Sequence, residues 1–79
     1  MITLLFFGPV ADSVGQRRVQ IEFVPGLQLG TLRKQFSLDY PDAVRWVSFV
    51  AVNGVQVRDD AAQIADGSEI AFMAKFSGG

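Results

Sequence analysis

The chain has 79 residues, a net charge of −1 and a hydrophobic fraction of 49% that includes seven Phe, enough for one small domain with a single modest core and no room for a second. It contains no Cys and no His, which removes disulfides, thiol nucleophiles, the commonest metal ligands and the usual general base near neutral pH. The basic residues (Arg17, Arg18, Arg33, Lys34, Arg45, Arg58, Lys75) are scattered, which argues against nucleic-acid binding; no apolar run is long enough to span a bilayer, and a soluble cytoplasmic protein is expected.

Ile2 to Phe7 carries apolar residues on both parities, as a central strand covered on both faces would. It lacks the positive flank of a signal peptide. Pro9 suits a first helical position and Gly15 the residue just past a helix end, so a short helix is expected over 9–14. Arg17 to Val24 alternates, with Val19, Ile21 and Phe23 on one face and Arg18, Gln20 and Glu22 on the other; this is a half-solvated strand, ended by Pro25-Gly26. Leu29, Leu32 and Phe36 share one helical face, and the main helix is placed over 29–38. Asp39-Tyr40-Pro41 closes it, and Pro41 starts one further turn reaching Trp46. Val47 to Asn53 reads as a strand, and Asn53-Gly54 before Val55-Gln56-Val57 is a strong hairpin signal. Arg58 to Asp66 reads as a polar connection with one apolar anchor, Ile64. Asp66-Gly67 then launches a last strand over 68–76.

One long helix beside about four to five strands implies an α+β domain, a mixed sheet with one principal helix packed on one face. That layering leaves Leu5, Phe7, Ala71 and Met73 off-parity. Either loops and the short helix cover them, or they form an apolar patch of the kind that marks a partner surface, where Met repacks easily. The sequence ends in Phe76-Ser77-Gly78-Gly79. Glycine loses more backbone freedom on ordering than any other residue, so this end is poorly suited to holding a fold. It is well suited to passing a carboxylate through a slot that a Cβ would block. The alternative is a merely frayed terminus.

Met1-Ile2-Thr3-Leu4-Leu5-Phe6-Phe7-Gly8, Val14-Gly15, Ala51-Val52-Asn53-Gly54, Asp66-Gly67-Ser68-Glu69-Ile70-Ala71-Phe72 and the terminal Ser77-Gly78-Gly79 together resemble the small subunit of molybdopterin synthase, a ubiquitin-like β-grasp sulfur carrier. The resemblance runs from end to end. It implies one domain over residues 1–79, with a flexible Gly-Gly tail over about 75–79. It implies that the Gly79 carboxylate is adenylated by a ubiquitin-activating-like adenylyltransferase that uses ATP, and is then converted to a thiocarboxylate. The tail, with Gly78 and Ser77 keeping it slender, would then enter the large synthase subunit of a heterotetramer and give its sulfur to a pterin precursor. Phe76, Met73, Lys75, Phe7 and Leu5 would meet the partner. No bound cofactor and no metal are implied, and the subunit would not be an enzyme on its own. Five extended residues from Lys75 to Gly79 span roughly 17 Å, enough to enter a pocket.

The family commonly has two prolines where this chain has Ala74-Lys75; their absence removes a stiffening of the exit. Carriers for thiamine synthesis, usually shorter, and for transfer-RNA thiolation, usually longer, share the Gly-Gly end and rank second and third. A non-covalent ubiquitin-like adaptor is a different class. A free-standing enzyme is disfavoured, because the one tight carboxylate pair, Asp59-Asp60, falls in a polar loop with no His or Cys to assist it.

Overall fold

The computed structural model describes residues 1–75; the tail residues Phe76, Ser77, Gly78 and Gly79, and with them the expectation of a flexible tail, lie outside the described residues. The chain runs β1 (Ile2–Phe6), α1 (Gly8–Val14), β2 (Arg18–Ile21), α2 (Leu29–Asp39), a 3-10 turn (Val44–Trp46), β3 (Phe49–Val52), β4 (Val55–Gln56) and β5 (Glu69–Met73). The five strands form one sheet in the order β2-β1-β5-β3-β4. β1 and β5 are parallel neighbours, and all other pairs are antiparallel. The antiparallel pairs β1-β2 and β3-β4 thus flank β5, which runs parallel to β1, with the long helix packed across, which is the β-grasp arrangement.

The strands are shorter than the alternation predicts. β2 stops at Ile21, yet Phe23 still packs against the core from the following coil. β5 stops at Met73 rather than Phe76. The helices follow their signals within a residue or so: α1 gains Gly8 and α2 gains Asp39. The turn expected after Pro41 is a 3-10 turn confined to Val44–Trp46.

Leu29, Leu32 and Phe36 of α2 are all buried, as is Val10 of α1, and they join Ile2, Leu4, Phe6, Val50, Ile70 and Phe72 in one cluster. At its centre Phe36 stacks on Phe72 with ring centroids 4.3 Å apart, and Phe6 lies 5.8 Å from Phe36 and 5.7 Å from Phe72. Such aromatic contacts add to the burial of area itself.

Asn53 and Gly54 both have positive φ, 49° and 83°, as the tight turn matched to strand twist requires. Asn53 also accepts the Glu69 N–H through Oδ1 at 2.9 Å and donates its own N–H to the Glu69 carbonyl at 2.8 Å. The hairpin is therefore fastened to the start of β5.

The stretch from Arg58 to Asp66 does more than connect. Its carbonyls at Ala62 and Asp60 accept the N–H groups of Leu29 and Gly30, each at 2.9 Å. These are first-turn donors of α2, which have no partner inside the helix and get none from a side chain at the N-cap residue Gln28. Gly30 is what allows the approach: a Cβ there would stand 2.9 Å from Asp60 Cβ and 3.0 Å from the Asp60 carbonyl oxygen. At the other end of the sheet the Met1 ammonium donates to Asp66 at 2.6 Å and, as the largest influence, holds that carboxyl below its ordinary value.

Candidate functional site: the second face of the sheet at the end of β5

β5 is last in the described chain but third of five in the sheet. Its alternation is regular. Ile70, Phe72 and Ala74 are buried in the helix-side core, whereas Glu69, Ala71, Met73 and Lys75 fall on the opposite parity. Its neighbours follow the same rule. Leu5 of β1 pairs with Ala71, which pairs with Ala51 of β3, and Arg18 and Gln56 close the row at the two edges. One step along, Phe49 pairs with Met73, and Phe7 follows directly after the Phe6–Phe72 pair on the other flank.

This register brings Leu5, Phe7, Met73 and Lys75 together around the point where the chain leaves the sheet. Leu5, Ala71, Met73, Phe49 and Ala51 are half-buried, Lys75 is exposed and Phe7 is 42% exposed. α1 sends Val10 into the main core instead of sealing this face. Of the two readings open for the off-parity residues, the partly exposed apolar face is the one that matches the geometry. Gly79, Gly78, Ser77 and Phe76 fall outside the described residues.

Phe49 and Ala51 belong to the same surface although the sequence reading did not single them out. The signal is in the register, which leaves them off-parity with Val50 and Val52 just as Leu5 is with Leu4 and Phe6. The same is true of Arg18, whose strand position faces Leu5. Neither Arg17 nor Arg18 makes an ion pair among the described residues. With Phe7, Leu5, Ala11 and Asp12 they border a hollow of about 370 Å³ beside the end of β1. The rim of the apolar face is thus positively charged on the β2 side.

Such a surface offers area, not reactivity. It holds no Cys or His, and no group of three or more metal-ligating side chains occurs among the described residues. The carboxyl that is displaced from its usual range, Asp66, sits next to Met1 at the far end of β1. Asp59 and Asp60 are exposed and serve the loop: Asp59 accepts the Ala61 N–H at 2.9 Å, and Asp60 lies 3.7 Å from Arg33. No helix among the described residues is long and apolar enough to cross a membrane.

A family model described as the ThiS family matches residues 4–79, nearly the whole sequence. The chain belongs to the ThiS family. Its members are ubiquitin-like sulfur carriers. Solved structures agree on the fold. A protein titled putative molybdopterin converting factor, subunit 1, from Pyrococcus furiosus superposes with a TM-score of 0.76 at 18% identity, covering 89% of this chain and 91% of that one. SAMP1 from Haloferax volcanii gives 0.77 at 21% identity over 99% of this chain and 98% of its own. A chain from the complex of subunits 1 and 2 of the molybdopterin-converting factor from Helicobacter pylori gives 0.73 at 21% identity over 99% and 97%. No curated protein matches the chain.

Proposed function

We propose that this ThiS-family chain is the sulfur-carrying small subunit of a molybdopterin synthase. The observation that carries the reading is the span of the family match, which extends through Ser77-Gly78-Gly79 to residue 79. The tail is thereby part of the matched pattern and not an appendage to it. Similarity to subunit 1 of molybdopterin converting factors, in one case taken from a complex with subunit 2, supports the choice of pathway. An apolar face around the base of the tail, formed by Leu5, Phe7, Phe49 and Met73, suits docking on such a partner.

The chemistry follows from what the chain lacks. With no thiol and no imidazole of its own, it contributes its terminal carboxylate. The Gly79 carboxylate oxygen attacks the α-phosphorus of ATP held by an adenylyltransferase, and pyrophosphate leaves. A sulfide-level sulfur donor then displaces AMP from the acyl carbon, giving the thiocarboxylate. That sulfur is the nucleophile delivered to the pterin precursor inside the large subunit. Catalytic acids, bases and cations belong to the partners, so the isolated chain is not an enzyme. Leu5, Phe7, Met73, Lys75 and Phe76 are assigned to partner contact, with Gly78 and Ser77 as the narrow approach.

The test is intact-mass spectrometry after incubation with ATP, an activating enzyme and a sulfur source. The expected product carries sulfur in place of one oxygen at Gly79; an unchanged mass with an activating enzyme competent on its own carrier would favour the adaptor reading. The family match supports a second reading equally well, a sulfur carrier for thiamine synthesis. Supplying the thiocarboxylate form to a molybdopterin large subunit with pterin precursor, and separately to a thiazole-forming system, distinguishes the two by which acceptor takes the sulfur.

A further inference from the structure

The 3-10 turn Val44–Trp46 holds the one Trp of the chain, and that side chain is 45% exposed. The turn is fixed to the core and to the end of β5 by backbone hydrogen bonds. Trp46 donates its N–H to the carbonyl of the buried Ala43 at 3.0 Å, and Val47 donates to the Val44 carbonyl at 3.1 Å. Ser48 donates to the carbonyl of Met73, the last residue of β5, at 2.8 Å. α1 packs beside both the turn and β5, with Phe7 at its start. Two exposed aromatic residues therefore border the exit of β5, Phe7 after β1 on one flank and Trp46 before β3 on the other. Over the Trp46 ring lies the Arg45 guanidinium, 5.5 Å from the centroid. Arg45 makes no ion pair among the described residues, not even with Asp42 three positions before it.

We propose that Trp46 and Arg45 form a second anchor for the large synthase subunit, seated on an apolar shelf of that partner with a carboxylate at its edge. The inference rests on the sulfur-carrier reading above and adds a contact outside the sheet face. Chain length fixes the occupant. Four residues follow Lys75, at most about 14 Å of chain. A partner whose pocket takes the Gly79 carboxylate must bring its surface within that distance of the end of β5, and the turn is bonded to that end.

The residue types fix the chemistry of the shelf. Trp and Arg are enriched among the few residues that carry most of an interface's binding energy. The indole supplies a large, stiff apolar area with one N–H donor. The guanidinium supplies a fork that matches a carboxylate. Attraction between the cation and the ring face holds the two together before docking, which lowers the side-chain entropy lost on binding. Arg45 and the exposed Lys75 give this end of the molecule positive charge, so an acidic rim on the partner complements it.

The experiment is calorimetric titration of the full-length chain with the large molybdopterin synthase subunit, together with fluorine NMR of the chain labelled with fluorotryptophan. One Trp gives one resonance. Its shift between light and heavy water reports exposure of the ring and should fall when the complex forms. Trp46→Ala should weaken binding by about thirtyfold or more and Arg45→Glu by about tenfold, while Leu38→Ala, at an exposed position on α2, should bind as the parent does. The fluorine reading uses the parent side chain, so it decides the matter even where Trp46→Ala disturbs the fold. An unchanged solvent shift in the complex, or parental affinity in both Trp46→Ala and Arg45→Glu, would overturn the proposal and leave the sulfur-carrier reading standing. A parent chain that does not bind the large subunit at all would overturn both, and the titration separates that outcome from the first.

Discussion

Replacing Gly30 by Ala should destabilise this protein, against the usual effect of that change in a helix. Gly30 lies in the first turn of α2, and inside a helix Ala is favoured over Gly by about 1 kcal/mol. Here the added methyl would stand 2.9 Å from Asp60 Cβ, 3.0 Å from the Asp60 carbonyl oxygen and 3.4 Å from Asp60 Cγ. The Asp60 side chain can rotate its carboxylate away, but its Cβ and carbonyl belong to the loop's course. That course is pinned by Gly30 N–H to Asp60, Leu29 N–H to Ala62, and Ile64 N–H to Leu27, each 2.9 Å. Forcing a methyl into a packed contact costs about 1–3 kcal/mol, and stretching a hydrogen bond about 0.5–1.5 kcal/mol. Set against the gain of about 1 kcal/mol, the net loss is about 0.5–3.5 kcal/mol. For a domain of this size each kcal/mol moves the melting temperature by roughly 4–8 °C, so a mid-range loss of about 2 kcal/mol lowers it by about 8–16 °C in thermal denaturation followed by circular dichroism. Thr31→Ala, at the neighbouring exposed position, is the control and should be neutral or mildly stabilising. A Gly30→Ala protein as stable as the parent would show that the loop does not bear on α2 as described.

Phe36→Ala should cost about 3–5 kcal/mol, read as a lowered urea midpoint, because Phe36 is buried and stacked on Phe72; a negligible shift would remove it from the core. Met73→Glu should leave the melting temperature close to that of the parent and weaken binding to the large synthase subunit by about tenfold or more, through burial of an unpaired charge, as measured by calorimetry. Deleting Gly79, or adding residues after it, should abolish sulfur transfer with the fold intact; an extended variant that stays untrimmed and active would contradict this. Asp66 has a folded-state carboxyl held below its ordinary value by the Met1 ammonium. Its contribution is therefore present above the ordinary carboxylate value and is lost as pH falls through the depressed one. Asp66→Asn should flatten that acid limb of the melting profile, a small effect for so exposed a pair.

Much of this was readable in the residues. Leu29, Leu32 and Phe36 declared the buried face of α2, and Asn53-Gly54 declared its turn, because those patterns depend on neighbours a few positions apart. The parity of Leu5 and Met73 pointed to the second face of the sheet. It did not point to Phe49, because Phe49-Val50-Ala51-Val52 is apolar at every position and its parity alone marks neither face. The docking of Asp60 and Ala62 on the start of α2 was not legible at all. A loop that satisfies a helix terminus through its backbone leaves no side-chain signature, and Arg58 to Asp66 looked like solvated chain. The strand order was equally hidden, since it is fixed by pairings between residues more than sixty positions apart, such as Thr3 with Glu69. The roles of Ser77, Gly78 and Gly79 rest on sequence and family alone.

The central place of β5 bears on how this protein is made. Residues 69–73 are the seam between the two hairpins, so a nascent chain halted at the loop before them has two flaps and nothing to join them. Loop closure over nearly the whole chain must come before the core's most buried contacts form. Folding is thereby deferred until residues 69–73 have been made and have left the ribosome. Fragments that stop short of the seam would be left open to proteolysis, and the cell's folded pool would consist of molecules translated at least that far.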